Sequence, residues 1–320
     1  WKVRQFVSGF TASVSTMVVL KDAAYVWADG RYWLQAEQEL AGTGIQIVYL
    51  GQPDVPPWNQ WLAEKLPEGA RLGFYGATMM VKAVADVEEQ LKSKRISVHT
   101  EHDLTDAVWH DRPGFPMAPV FAHSLAYAGK SVLEKLNEVR EDMRKTQAQA
   151  HVLNALDDIG YLLNLRGTDV PTSPYFHAYL VVTEKAASLY AHTQRFSDDI
   201  LENLKEQGVE LKPYDIFFDD LKALSGLAVW VDPAQSNLLT FKQLQSFNCR
   251  LIEKRAPSVA MKAVKNSVEI DNWKNCFVRD GVAMVKFLNW FYKNVGSGVL
   301  TERIVSNQID AERAKLELFR

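Results

Sequence analysis

The residue types able to do chemistry are spread thinly along this chain. The densest run of metal-ligand types is His99, Glu101, His102 and Asp103. On an extended segment His99 and Glu101 share a face while His102 points away, so the run reads as a solvated turn. Asp157 and Asp158 are adjacent acids. Neighbours on a strand face opposite sides, so this pair reads as a polar turn ahead of a buried strand, not as a shared metal site. His110, His123, His151, His177 and His192 are scattered and read as structural or surface residues. There is no Gly-x-x-x-x-Gly-Lys phosphate loop, no Gly-x-Gly-x-x-Gly and no His-Glu-x-x-His. Gly-x-Ser-x-Gly and Cys-x-x-Cys are missing too. The residues by themselves give no constellation that hydrolyses or transfers anything.

The elements that would position these residues come in a repeated order. Val18-Val19-Leu20-Lys21-Asp22-Ala23-Ala24-Tyr25-Val26-Trp27-Ala28 lies without a gap over Val181-Val182-Thr183-Glu184-Lys185-Ala186-Ala187-Ser188-Leu189-Tyr190-Ala191. Further on, Gly44 to Tyr49 resembles Gly208 to Tyr214, and Leu72 to Tyr75 resembles Leu227 to Trp230. A repeat of this period means two copies of one unit.

In the first copy, Thr16 to Leu20 and Tyr25 to Ala28 read as a hairpin around Lys21-Asp22. A helix is expected from Arg31 to Leu40, with Tyr32, Ala36 and Leu40 on one face and Asp29 or Gly30 as its cap. A strand at Ile45–Leu50, a helix at Trp58–Lys65, a strand at Arg71–Tyr75, a helix at Met79–Leu91 and a strand at Ile96–His99 follow. The second copy opens with a helix from Ser131 to Gln147, without a counterpart in the first copy. It continues through Val152–Asp158, Leu162–Leu165, Ala178–Thr183, Ala187–Ala191, Asp198–Glu206, Glu210–Lys212, Phe217–Leu224 and Val229–Val231. Strands alternating with helices, plus a hairpin, predict an α/β fold with a mixed sheet covered by helices.

Pro and Gly cluster between Asp111 and Pro116 and mark the join. The chain thus divides into 1–119, 130–257 and 258–320. The last piece carries two helical patterns and no strand. Trp273, Phe277, Met284, Leu288 and Phe291 form one stripe within Ser267–Asn294, and Gly296-Ser297-Gly298 ends that helix. A second helix is expected over Thr301–Arg320, with Val305, Ile309, Leu316 and Phe319 on one face. Two such helices offer too little apolar surface for a domain, so they read as the opening of a third domain or a brace on the second.

Composition narrows the classes. With 47% hydrophobic and 23% charged residues over 320 positions, the chain has globular composition and is not a disordered one. Thirty-six basic against 39 acidic residues give a net charge of −3, which speaks against a nucleic-acid partner. Cys249 and Cys276 are too few for a disulfide framework and fit a reducing compartment. The apolar run Val282–Tyr292 is interrupted by Lys286 and Asn289 and falls short of a membrane span. The chain opens on Trp1 rather than Met, so it is expected to begin inside a longer protein or to follow processing. A cytoplasmic location is the expectation.

Three segments carry a family resemblance. The first is Trp1 to Thr11 followed by Trp27-Ala28-Asp29-Gly30-Arg31-Tyr32. The second is Leu156-Asp157-Asp158-Ile159-Gly160-Tyr161-Leu162-Leu163-Asn164-Leu165-Arg166-Gly167-Thr168-Asp169-Val170. The third is Lys262 to Glu269 with Arg279-Asp280-Gly281-Val282-Ala283-Met284. Together they resemble the Xaa-Pro aminopeptidase (aminopeptidase P) family in its longer form.

The resemblance implies two tandem creatinase N-terminal-like domains, then two helices opening a truncated pita-bread catalytic domain. It implies release of an N-terminal residue that precedes proline, with peptides as substrates and a homodimeric parent. It also implies two divalent metal ions, usually manganese, held by two Asp, one His and two Glu. In the family these ligands lie beyond the second helix of the catalytic domain, so none is expected here and the chain alone is expected to be inactive. Arg31 matches the family arginine that reaches toward bound peptide. A cation in the first turn of a helix opposes the dipole, so it needs either a salt bridge to Asp29 or an anionic ligand group. Arg166 reads as structural.

The family's Gly-Phe-x-Gly-Ser-Ala-Gly-Thr stands here as Gly9-Phe10-Thr11-Ala12-Ser13-Val14-Ser15-Thr16. Two glycines are lost, and any left-handed backbone there would have to change. A second class of function is a non-catalytic protein-binding module of the same architecture, as in a histone-chaperone subunit. The near-neutral charge and the intact Asp29-Gly30-Arg31-Tyr32 favour the enzyme.

Overall fold

The structure, a computed structural model, describes residues 2–319. After the short helix α1 (Val3–Ser8), β1 (Thr16–Val19) and β2 (Ala24–Asp29) form an antiparallel hairpin with Thr16 opposite Trp27. Leu20 N donates to Ala23 O at 2.8 Å and closes the turn at Lys21-Asp22. Helix α2 (Trp33–Glu39) returns the chain so that β3 (Gln46–Leu50) runs parallel to β2. Then come α3 (Trp58–Lys65), β4 (Arg71–Gly73), α4 (Val81–Leu91) and β5 (Ser97–His99), with β5 parallel to β4. In α4, Val81, Val84, Val87 and Leu91 recur at helical spacing and are all buried.

The second unit begins with β6 (Phe121–Ala122), α5 (Leu125–Ala128) and α6 (Val132–Lys145). Ser131 and Glu134 form a reciprocal capping box at the start of α6. Next are β7 (Ala150–Leu153), α7 (Leu156–Leu162), β8 (Leu165–Arg166), β9 (Tyr179–Thr183) and β10 (Ala187–Tyr190). The unit closes with α8 (Asp198–Glu206), β11 (Val209–Lys212), α9 (Phe217–Asp220), β12 (Ala228–Val231), α10 (Leu238–Ser246) and β13 (Arg250–Glu253).

The two units repeat in their pairing. The hairpin β1–β2 with parallel β3 matches the hairpin β9–β10 with parallel β11. The parallel pair β4–β5 matches β12–β13. They differ at one strand. In the second unit β7 lies antiparallel to β9 and parallel to β12, which makes one six-stranded sheet in the order β11-β10-β9-β7-β12-β13. Among the described residues no strand stands between β1 and β4, so the first unit has a three-stranded sheet and a separate two-stranded one. Apolar side chains join these pieces: Val18 of β1 and Leu72 of β4 share a cluster with Trp27, Trp61, Leu62, Val87 and Leu91.

Segment 79–82 docks the first unit on the second through backbone pairs. Leu238 N donates to Met79 O at 2.8 Å, Val81 N to Ser236 O at 3.0 Å and Lys82 N to Pro233 O at 2.9 Å.

The last segment holds α11 (Pro257–Ala263), α12 (Ser267–Asn294) and α13 (Glu302–Arg313). The final helix is thus shorter than the expected Thr301–Arg320, and Arg320 lies outside the described residues. Asn266 and Asn272 tie α12 to α5 by donating to Ala128 O and Ala126 O, each at 2.9 Å. Arg313 and Asp280 clamp α13 to α12 through two hydrogen bonds, at 2.7 and 3.3 Å. Only Ala283 of the 28 residues in α12 is buried, and Trp273 and Phe277 of the expected stripe are 57% and 68% exposed. The N-terminal half of the stripe is therefore largely uncovered, while Phe291 is half-buried against Phe287.

Candidate functional site

The turn between β2 and α2 presents Arg31. The expected helix from Arg31 begins at Trp33 instead, with Tyr32 at its N-cap and no side-chain cap. The reason is local: Asp29 uses its carboxylate on the turn. Its Oδ1 accepts Arg31 N at 3.1 Å and Arg31 Nε at 3.0 Å, and its Oδ2 accepts Arg31 Nη2 at 2.8 Å. Arg31 stands ahead of the helix, so the dipole argument does not apply to it.

This fork holds the guanidinium in one orientation. It also holds the Asp29 carboxyl below its ordinary range and raises Arg31 above its own. Arg31 is two-thirds exposed, at 67%, and Nη1 is left free for a ligand. The guanidinium lies 5.1 Å from the Tyr32 ring centre, and Tyr32 Oη meets Ser13 Oγ at 2.5 Å. Ser13 belongs to the loop that lost two glycines. No residue from Thr11 to Thr16 adopts left-handed backbone. Arg4 braces that loop by donating to Ser15 O at 3.0 Å and to Ala12 O. Thr11 N and Oγ1 both donate to Glu39, at 2.8 and 2.7 Å. A charged, oriented and exposed arginine beside a tyrosine can receive an anionic group such as a carboxylate.

The acidic pair is not a turn before a strand. Asp157 and Asp158 lie in the first turn of α7, where negative charge is favoured by the helix dipole. Lys262 of α11 contacts both carboxylates and ties the last segment to the second unit. Asp158 is fully buried, and burial raises its carboxyl above the ordinary range. Arg166 Nη1 donates to Gly160 O at 2.6 Å and Leu165 O at 2.8 Å, which is a structural task at the end of α7.

The four residues at 99–103 stay local. His99 Nε2 meets Ser97 Oγ at 3.2 Å, Glu101 accepts from Thr100 N at 2.9 Å and His102 is exposed. Asp103 accepts from Thr105 N and from Arg112 Nη2, both at 2.9 Å. Among the described residues no three His, Cys, Asp or Glu are placed to share a metal ion. The side chains present do not fit a dinuclear site, and no metal chemistry is routed through them.

Three buried charged side chains that were not singled out from the sequence are Arg195, Asp169 and Lys135. Arg195 and Asp169 form a bidentate pair, at 2.5 and 2.8 Å, with both side chains wholly buried. Lys135 is 1% exposed and donates to Tyr161 O at 2.8 Å and Asn164 Oδ1 at 2.7 Å. The signal for Asp169 was its place just after Arg166-Gly167-Thr168; no comparable signal exists for Lys135.

Comparison with known proteins supplies the family. The pattern described as Creatinase/Prolidase N-terminal domain matches residues 2–108, and a second pattern of the same description matches residues 111–269. The chain belongs to the creatinase/prolidase N-terminal domain family. Full-length relatives of this kind include "Probable Xaa-Pro aminopeptidase P" of Chaetomium globosum, 34% identical over 98% of this chain and 52% of its own length. Aminopeptidase P2 of Arabidopsis thaliana is 32% identical over 96% of this chain and 48% of its own. The chain spans about half the length of the curated relatives it matches. It is homologous to the half of Xaa-Pro aminopeptidase P that carries these domains.

Among solved structures, X-prolyl aminopeptidase from Caenorhabditis elegans superposes with a TM-score of 0.89 at 26% identity. The match covers 99% of this chain and 52% of that one. That protein is described as a cytosolic enzyme with a di-nuclear active site. No helix among the described residues is long and apolar enough to cross a membrane.

Proposed function

We propose that these residues are the N-terminal and middle domains of a metal-dependent Xaa-Pro aminopeptidase. In that enzyme they shape the approach to a catalytic half that releases the N-terminal residue before proline. The carrying observation is the near-complete match of this chain to half of each aminopeptidase P relative, at 32–34% identity. In this reading the five metal ligands, and the two divalent ions they hold, manganese by family resemblance, belong to the other half. The apolar stripe of α12 faces that half. The parent is a cytoplasmic homodimer, and its substrates are peptides with proline in second position.

Arg31 is the residue of this chain assigned to substrate. Its exposed, fixed guanidinium supports an electrostatic contact with the peptide's carboxylate or backbone carbonyls.

The test compares three samples on an Xaa-Pro peptide with added manganese: the full-length enzyme, its Arg31→Ala variant and residues 1–320 alone. The expected outcome is turnover by the full-length enzyme, KM raised in the variant with kcat little changed, and none by residues 1–320. Turnover by residues 1–320, or an unchanged KM in the variant, would overturn the assignment.

A further inference from the structure

A small cavity of about 10 Å³ lies at the carboxyl ends of β7 and β12, the two parallel strands at the centre of the larger sheet. His151, Asn154, Asp158, Asp232 and Gln235 line it. The hydrogen-bond inventory of these side chains is lopsided.

His151 is 1% exposed, and its Nδ1 lies 3.0 Å from Trp230 O. A carbonyl only accepts, so Nδ1 carries the hydrogen and Nε2 presents a bare lone pair. Burial drives the ring's pKa down to about 4, so it is neutral at ordinary pH. Nε2 has no partner. Asn154 Nδ2 donates to Thr240 Oγ1 at 3.0 Å, which leaves Asn154 Oδ1 as the amide's buried, unpaired end. Gln235 Oε1 is buried and unpaired as well. Asp232 is already committed: Oδ1 accepts Ala234 N at 3.0 Å and Oδ2 accepts Ala256 N at 2.8 Å.

Three acceptors without a partner, His151 Nε2, Asn154 Oδ1 and Gln235 Oε1, thus belong to side chains that line one cavity, while Asp158, which lines it too, is held by Lys262. Each costs about 1–3 kcal/mol if left unmade. The occupant must be a donor, and the volume admits one molecule of water size. A metal ion is disfavoured, because no three His, Cys, Asp or Glu are placed to share one among the described residues.

We propose that one ordered water is built into this cavity. It donates one hydrogen to His151 Nε2 of β7 and the other to Gln235 Oε1. The position matters to the whole molecule. Gln235 sits in the loop whose Pro233 and Ser236 carbonyls receive Lys82 and Val81 of the first unit. The water braces that loop against β7, so it supports the surface on which the first unit docks.

The test has two readouts on the folded chain at neutral pH. A high-resolution crystal structure is expected to show one peak about 2.7–3.2 Å from His151 Nε2, with hydrogen-bond rather than coordination distances. Oxygen-17 relaxation dispersion, which counts long-lived internal waters, is expected to lose one water in Gln235→Met or in His151→Phe. Gln235→Met keeps the side-chain length and guards against a folding failure in the histidine variant. An empty cavity, a count unchanged in both variants, or a peak with contacts near 2.0–2.5 Å that marks a cation would each overturn the proposal.

Discussion

Replacing Asp169 by Asn tests what holds the linker to the second unit. The carboxylate accepts three hydrogen bonds: Arg195 Nη2 at 2.5 Å, Arg195 Nη1 at 2.8 Å and the backbone N of His177 at 2.8 Å. Both charged side chains are wholly buried. Arg195 in turn donates through Nε to Ala118 O at 2.8 Å, and its own carbonyl accepts Val120 N at 2.9 Å. The pair therefore joins the linker to the loop after β8.

Asparagine keeps one acceptor but turns an NH2 group toward donors, and it leaves the guanidinium buried without a counter-charge. Removing one partner of a buried pair costs about 3–5 kcal/mol. At roughly 2–4 °C per kcal/mol for a domain of this size, Tm falls by about 6–20 °C. The assay is thermal and urea unfolding followed by circular dichroism, the first read as Tm and the second as a shift of midpoint at constant slope. A double variant, Asp169→Leu with Arg195→Met, is expected to recover part of the loss, because apolar residues of similar volume remove the buried charge altogether. A loss below about 1 kcal/mol in Asp169→Asn would refute the reasoning that the pair is an uncompensated liability once broken.

Gly167→Ala places a Cβ 2.6 Å from Phe176 Cβ and 3.2 Å from Tyr175 O, so urea unfolding should show a loss of about 1–3 kcal/mol. Gly114→Ala, with nothing near its added carbon, serves as the neutral control. Burial lowers the Lys135 amine from its ordinary 10.5 to about 8. Between those values the unfolded chain binds more protons than the folded one. Stability therefore rises with pH across that window, by up to about 3 kcal/mol, and is lost as pH falls through 8. Lys135→Met should flatten that slope in urea midpoints measured from pH 7.5 to 10.5.

His151 works in the same sense at lower pH. Its folded value of about 4 against an ordinary 6.5 gives stability that is complete above 6.5 and lost as pH falls toward 4. His151→Phe should remove that part of the acid sensitivity. Arg31→Ala should leave the urea midpoint unchanged, since the Asp29 pair is solvent-exposed. Any change in peptide turnover would then report contact with substrate.

The repeat was legible because Val18–Ala28 and Val181–Ala191 align without a gap, with two Val and three Ala coinciding and most other apolar positions matching in kind. Both segments fold into hairpins with a parallel third strand. What joins the halves of the second sheet was harder to read. Ala150–Leu153 is buried at all four positions, and a strand covered on both faces shows no alternation.

Asp157 and Asp158 were misread because α7 is only seven residues long and opens on Ala155 without a side-chain cap. Two acids followed by an apolar run were the available helix signal. The start of α2 shifted because Asp29 spends its carboxylate on Arg31 rather than on the helix. The Arg195–Asp169 pair spans 26 residues and is set by the tertiary fold, which local patterns do not encode. The stripe on α12 was visible in the sequence, but a stripe does not name what covers it.

The interruption between β1 and β4 makes the two units unequal under thermal fluctuation. Opening the second sheet means breaking ladders that run through six strands. Among the described residues of the first unit the two pieces share no strand ladder and meet through side chains, so β4 and β5 can part from the hairpin without rupturing a backbone ladder. Native-state amide exchange should find a cooperative block in the second unit and a lower-energy opening along this seam. The backbone groups bared at the seam are also where a foreign strand would add first. The β1 edge is therefore one place where self-association can start, and Val19→Lys at that exposed position is expected to blunt it.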